Sequence, residues 1–140
     1  MSIFAIKLME DNQLTLRDLR DRIVDRLTPA FSTDEAQSAA RILMAELLHV
    51  APVDIVLRKD REISALTVEK FDSIADRMTH EHEPLQYILG HTRFYGSDIE
   101  VDRSTLIPRP ETEELVDMIV DRWSDKSDLA VLDLCTGSGC

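Results

Sequence analysis

Several things are scarce in this sequence, and each scarcity excludes a class. Two cysteines, Cys135 and Cys140, are too few for a disulfide scaffold. The expected compartment is therefore a reducing one, the cytoplasm. No apolar run approaches the roughly 20 residues that a membrane helix needs. The N-terminal MSIFAIKLMEDNQ breaks its short apolar stretch with Lys7 and offers no small-residue cleavage site, which predicts no signal peptide. Basic residues are in deficit: 16 Lys+Arg stand against 27 Asp+Glu, for a net charge of −11. The deficit is spread along the chain, so no cluster of cations exists to neutralise phosphates, and direct nucleic-acid binding is not expected. Internal repeats and low-complexity tracts are absent. What remains is a core-forming composition, 44% hydrophobic and 31% charged over 140 residues, enough for one ordinary domain or two small ones.

The first ninety residues read as helices. Thr15 opens TLRDLRDRIVDRL as a Thr-x-x-Asp capping box. Leu16, Leu19, Ile23 and Leu27 share one helical face, Arg and Asp fill the other, and Pro29 stops the helix. A second helix is expected from Thr33, with Ala36, Ala39, Ala40, Leu43 and Leu47 as its apolar stripe. Pro52 suits the first position of a short helix, VDIVLRK. A fourth helix is expected from Thr67, with Phe71, Ile74, Ala75 and Met78 on one side. A fifth, PLQYIL, starts at Pro84 and stops at a left-handed Gly90. Each helix buries one stripe, so a compact bundle is the economical arrangement.

After Gly90 the period changes. Arg93-Phe94-Tyr95 and Asp98–Val101 flank Gly96-Ser97, a hairpin signal. Ile99 and Val101 face one way, and Asp98, Glu100 and Asp102 the other. LIPRPETEELV follows. Its prolines push Ile107 and Arg109 towards extended backbone, and Thr112 is placed to cap a helix running to about Trp123. LAVLDL, residues 129–134, has the composition of a buried strand, and CTGSG comes directly after it. A strand and glycine turn of this kind normally open an α/β unit. The chain thus reads as a fragment ending just after the first strand of such a domain, with 129–140 irregular for want of sheet neighbours.

The polar clusters have structural readings beside chemical ones. Arg109 is either a ligand contact or a salt-bridge partner of Glu111 or Glu113. Glu111, Glu113 and Glu114 are read as first-turn acids that favour a helix N-terminus, rather than as acid/base groups. His80 and His82 lie two apart, do not share a helical face, and are read as solvated. Cys135 and Cys140 lack the partners of a zinc site, so no metal is expected. Phe94-Tyr95 has no interleaved basic residues beyond Arg93 and is read as packing. Gly137 and Gly139 give a turn whose backbone a ligand can approach, a signal shared with ordinary strand-to-helix turns.

LIPRPETEELV, some twenty residues before VLDLCTGSG, resembles the PrmC/HemK family of protein-glutamine methyltransferases, which use S-adenosylmethionine. EPLQYILGHTRFYGSDIEVDRSTLIPRPETEELV is similar to that family's linker hairpin and the start of its catalytic domain. The likeness is strong over residues 83–140. Over residues 1–82 only helical character and general layout agree.

The resemblance implies a mainly α chain: a helical bundle at 1–88, a β-hairpin linker at 89–105, and the truncated opening of a Rossmann-like methyltransferase domain at 106–140. Asp133, Cys135, Thr136, Gly137, Ser138 and Gly139 would contact the amino-acid end of the cofactor, with Cys135 standing where the family usually has a glycine. Leu106, Pro108, Arg109, Glu111 and Thr112 would border the cofactor and the substrate glutamine. The family's catalytic Asn-Pro-Pro-Tyr does not occur in these 140 residues, so no catalytic residue is assigned and residues 1–140 alone are expected to hold the cofactor weakly or not at all. The implied substrate is the glutamine in the Gly-Gly-Gln motif of peptide chain release factors, with the bundle helping to dock that protein. A glutamine methyltransferase acting on a ribosomal protein, a non-enzymatic helical interaction module and a nucleic-acid adenine methyltransferase remain alternatives at this point.

Overall fold

The computed structural model describes residues 14–140; the stretch on which the signal-peptide expectation rests lies outside them. The fold is mainly α: six helices and one two-stranded sheet among the described residues. The chain divides into two compact units, with the boundary between Leu85 and Gln86.

In the first unit, α1 (Leu16–Leu27) begins at the expected capping box. Thr15 Oγ1 accepts the Asp18 N–H, and the Asp18 carboxylate accepts the Thr15 N–H at 2.8 Å. Two more first-turn amides, which no helix can satisfy internally, donate outside the helix: Leu16 N–H to Arg61 O and Arg17 N–H to Lys59 O, both 3.0 Å. With the bridge between Thr15 and Glu62 and the Ile63 N–H on Leu14 O, this pairing ties 59–63 to the start of α1. The short α3 (Pro52–Leu57) stops two residues before the expected Lys59, whose carbonyl takes the Arg17 N–H instead.

The second helix, α2 (Thr33–Leu48), starts where expected, but its cap is a full Ser32–Glu35 box. It ends on His49 in the left-handed region, φ 53°, a place glycine more often takes. The helix α4 (Ala65–His80) begins two residues before the expected Thr67. Ser64 Oγ accepts the Thr67 N–H at 3.2 Å, which puts Thr67 inside the first turn.

The core is the set of stripes read from the sequence. Leu16, Leu19, Ile23 and Leu27 from α1 are all but solvent-free, as are Ala36, Ala40 and Leu43 from α2, and Phe71, Ile74, Ala75 and Met78 are buried from α4. Burying each large side chain contributes about 1.5–3 kcal/mol. Met44 joins them, while Ala39 and Leu47 sit half-buried at the edge of the stripe. Helix α1 packs against both α2 and α4, and α2 also meets α3.

The charged face of α1 does more than pair with itself. Arg22 grips Asp72 of α4 with two bonds of 2.7 Å, and Arg26 reaches Asp76 at 2.6 Å and Asp72 at 3.6 Å. Those partners are fifty residues away, beyond the reach of a local pattern. Glu83, buried at 6% exposure, takes a 2.6 Å bond from Arg77 Nε. His80 and His82 are exposed, as read from the sequence.

The second unit takes in nearly all of α5 (Leu85–Leu89), one residue after the expected Pro84. Gly90 ends it at φ 80°, with its N–H on Gln86 O at 2.8 Å. The hairpin of β1 (His91–Phe94) and β2 (Ser97–Glu100) pairs Phe94 with Ser97, so its two-residue turn is Tyr95-Gly96, one position earlier than Gly96-Ser97. Both turn residues have positive φ, 45° and 78°. That is the backbone whose twist matches a right-handed ribbon.

The last helix, α6 (Pro110–Trp123), starts two residues before the expected cap at Thr112. Pro110 fixes the first helical φ, and the residue before it, Arg109, is held extended at φ −93°, ψ 140°, making it the N-cap without a side-chain bond. The apolar face of α6, including Leu115 and Ile119, is exposed. Residues 129–134 form no strand and are exposed, with Val131 85% open. A strand apolar on both faces needs neighbours on both sides, and the irregular conformation agrees with that expectation.

Candidate functional site

Two segments carry the sequence-predicted site residues, and both lie in the second unit. The first is 106–112, which leads from the hairpin into the first turn of α6. Here Leu106, Arg109 and Glu111 are exposed, and Pro108 and Thr112 are half-buried. The backbone turns once, with the Thr112 N–H on Arg109 O at 3.0 Å. None of the hydrogen bonds or ion pairs described joins the Arg109 side chain to Glu111 or Glu113, so the salt-bridge reading gains no support.

The segment is anchored on both sides by residues to which the sequence reading gave no anchoring role. Upstream, the Asp102 carboxylate accepts the Ser104 hydroxyl and the Ser104 N–H, the latter at 2.8 Å, which together lower the Asp102 pKa, and Tyr87 on α5 donates its hydroxyl to Thr105 O at 2.6 Å. Downstream, Tyr95 at the hairpin turn reaches α6 twice. Its N–H donates to Glu113 Oε1 at 2.8 Å, and its hydroxyl to Asp117 Oδ1 at 2.7 Å. The hydroxyl's pKa is raised, first by that bond and then by burial and the carboxylates of Asp117, Asp121 and Glu113. Glu113 and Asp117 are one helical turn apart, so a single residue reaches both, Glu113 through its backbone N–H and Asp117 through its hydroxyl. Glu113 is therefore a turn-binding acid as well as a first-turn one.

The second segment is the glycine turn. Asp133, Cys135, Thr136, Gly137 and Gly139 are exposed and Ser138 is half-buried. Cys135, Gly137 and Gly139 all take positive φ, at 64°, 60° and 81°. The first of these gives the reason a glycine belongs at position 135: an L side chain rarely adopts that backbone. A Cβ at Gly139 would meet nothing, and one at Gly137 only Cys135 O at 3.9 Å, so the turn is open to an approaching group. The Gly139 N–H is already used, on Thr136 O at 3.0 Å. This open, left-handed backbone leaves room for a small polar group beside the turn. No hydrogen bond or ion pair described links 133–139 to 106–112.

Elsewhere, a cleft of about 600 Å³ lies beside the hairpin's base, lined by Gly90, His91, Glu100, Asp102 and their neighbours, and takes in neither segment. Among the described residues, no three His, Cys, Asp or Glu gather as metal ligands, and no helix is long and apolar enough to cross a membrane.

Comparison with known proteins joins these features. A family model described as the PrmC N-terminal domain matches residues 18–90. A release factor glutamine methyltransferase from Flavobacterium psychrophilum is 35% identical over 130 residues, 91% of this chain and 45% of that protein. One from Bacteroides thetaiotaomicron is 38% identical over 114 residues, 81% of this chain and 40% of the relative. One from Lactococcus lactis is 45% identical over 80 residues, 57% of this chain and 27% of the relative. The chain thus spans less than half the length of these curated relatives. With the match covering the four bundle helices through to Gly90, and the relatives extending it across the hairpin, the chain belongs to the PrmC family of methyltransferases.

Proposed function

We propose that this chain works within an S-adenosylmethionine-dependent enzyme that methylates the side-chain amide nitrogen of the glutamine in the Gly-Gly-Gln motif of peptide chain release factors. The observation that carries the reading is the family match over residues 18–90, together with relatives that bear the name release factor glutamine methyltransferase. The division of labour follows the sequence: 1–88 as the bundle that docks the protein substrate, 89–105 as linker, and 106–140 as the opening of the catalytic domain.

An amide nitrogen is a weak nucleophile because its lone pair is delocalised into the carbonyl. Rate then comes from holding nitrogen and methyl group in line and from stabilising the charge that develops. S-adenosylmethionine supplies an electrophilic methyl group on a sulfonium. In this chain, Cys135, Thr136, Gly137, Ser138 and Gly139 offer backbone to its amino-acid end, and Asp133 stands beside the turn as a carboxylate. Leu106, Pro108, Arg109, Glu111 and Thr112 form a wall towards the glutamine. The residues that grip the amide belong to the family's Asn-Pro-Pro-Tyr, which these 140 residues do not contain. The net charge of −11 favours encounter with a basic partner surface.

The test is transfer of labelled methyl from S-adenosylmethionine to a purified release factor, by the polypeptide that carries this chain together with a complete catalytic domain. Label is expected on the Gly-Gly-Gln glutamine and lost when that glutamine is replaced by alanine. Label found only on a ribosomal protein, only on nucleic-acid bases, or nowhere refutes the reading.

A further inference from the structure

We infer that Tyr87 and Tyr95, the chain's two tyrosines, are positioning residues that hold the 106–112 segment from either side and so set its alignment at the methyl-transfer site; this rests on the function proposed above. The geometry is specific. Tyr87, on α5, fixes the entrance to the segment through the 2.6 Å bond from its hydroxyl to Thr105 O. Tyr95 fixes the exit through two bonds onto successive turns of α6, to Glu113 and Asp117. These tyrosines stand eight residues apart in sequence, on the helix and hairpin that precede the segment; Thr105 and Glu113 lie immediately outside residues 106–112, and Asp117 lies one helical turn beyond Glu113.

Several features mark this arrangement as more than surface decoration. Tyr95 takes a left-handed backbone, φ 45°, which a bulky L residue adopts at a cost. Asparagine or glycine would make the same hairpin turn with less strain. Tyrosine is the residue here, and while any residue's N–H would serve Glu113, its hydroxyl is what reaches Asp117, one turn further along α6. Tyr87 spends its hydroxyl on a backbone carbonyl rather than on solvent, so the bond fixes where the chain runs and is indifferent to which side chain Thr105 carries. Between the two anchors, Arg109 is extended, and Ile107 and Arg109 each precede a proline that narrows their backbone freedom, which stiffens the segment against a shift at either end. A shift of an ångström there changes the approach of the reacting atoms, and rates are sensitive to that distance.

The role is tested with Tyr87→Phe and Tyr95→Phe in the same full-length enzyme, since phenylalanine keeps the ring and removes only the bonding hydroxyl. Each variant is expected to lower kcat for release-factor methylation about threefold to tenfold, in line with loss of one hydrogen bond. KM for the release factor, set by docking on the bundle, should stay within about twofold, and Tm should hold. Amide hydrogen exchange over 106–113 should quicken in both variants. Unchanged kcat with an active parent enzyme overturns the proposal, as does a KM rise that accounts for the whole loss. If exchange quickens but the parent enzyme methylates no release factor, the functional reading fails, and the catalytic role of the tyrosines fails with it.

Discussion

Replacing Asp72 by asparagine probes the bundle at the point where its two longest-range charges meet. Asp72 receives two 2.7 Å bonds from Arg22 and faces Arg26 Nε at 3.6 Å. That nitrogen is buried with no hydrogen-bond partner, so Asp72 is also its compensating charge. Bonds to ionised groups contribute about 1.5–3 kcal/mol when buried, against about 0.2–1 kcal/mol for exposed ion pairs. Asp72 is 23% exposed and Arg22 45%, which places the pair between these limits. Asp72→Asn should therefore cost about 1–2 kcal/mol, a Tm drop of about 5–15 °C for a unit of this size.

The pH dependence follows from the direction of the shift. The bonds from Arg22 lower the Asp72 pKa in the folded state. A depressed carboxylate contributes stability above its unfolded pKa and loses it as pH falls through the folded one. The difference between wild type and Asp72→Asn should thus be full at pH 7 and shrink below about pH 4. The assay is urea unfolding followed by circular dichroism, because the one tryptophan, Trp123, lies outside the bundle unit. A double-mutant cycle with Arg22→Gln should give a coupling near 1 kcal/mol. Additive effects, or a difference that stays constant down to pH 2, would show that the bridge between α1 and α4 is not what Asp72 contributes.

Two further outcomes are expected. Leu19→Ala removes a side chain with 0% exposure at the centre of the bundle and should cost about 2–5 kcal/mol in the same urea titration; a cost under 1 kcal/mol would mean the core collapses around the gap. Gly96→Ala places a Cβ in open space but at φ 78°, so its cost is backbone strain alone, about 1–2 kcal/mol, read as lost hairpin amide protection while the bundle's urea midpoint stays put.

The sequence by itself determined the helices, their buried faces and the hairpin, because these depend on neighbours within a few residues. Leucines at spacings of three and four choose a face, Thr15 and Asp18 close a cap, and Pro52 starts a turn. It also carried the family resemblance, since LIPRPETE and DLCTGSG are contiguous strings. Small errors arose where a nearby residue outcompeted the expected one, as Ser64 did over Thr67 and the Arg109-Pro110 pair over Thr112. Only the tertiary structure decided the partners that sequence distance conceals. Arg22 finds Asp72 across fifty residues, the amides that open α1 find the carbonyls of 59–61, and Tyr95 finds two acids a turn apart on α6. Such pairs form because packing the apolar stripes brings their polar margins together, and no local pattern records which margin will meet which.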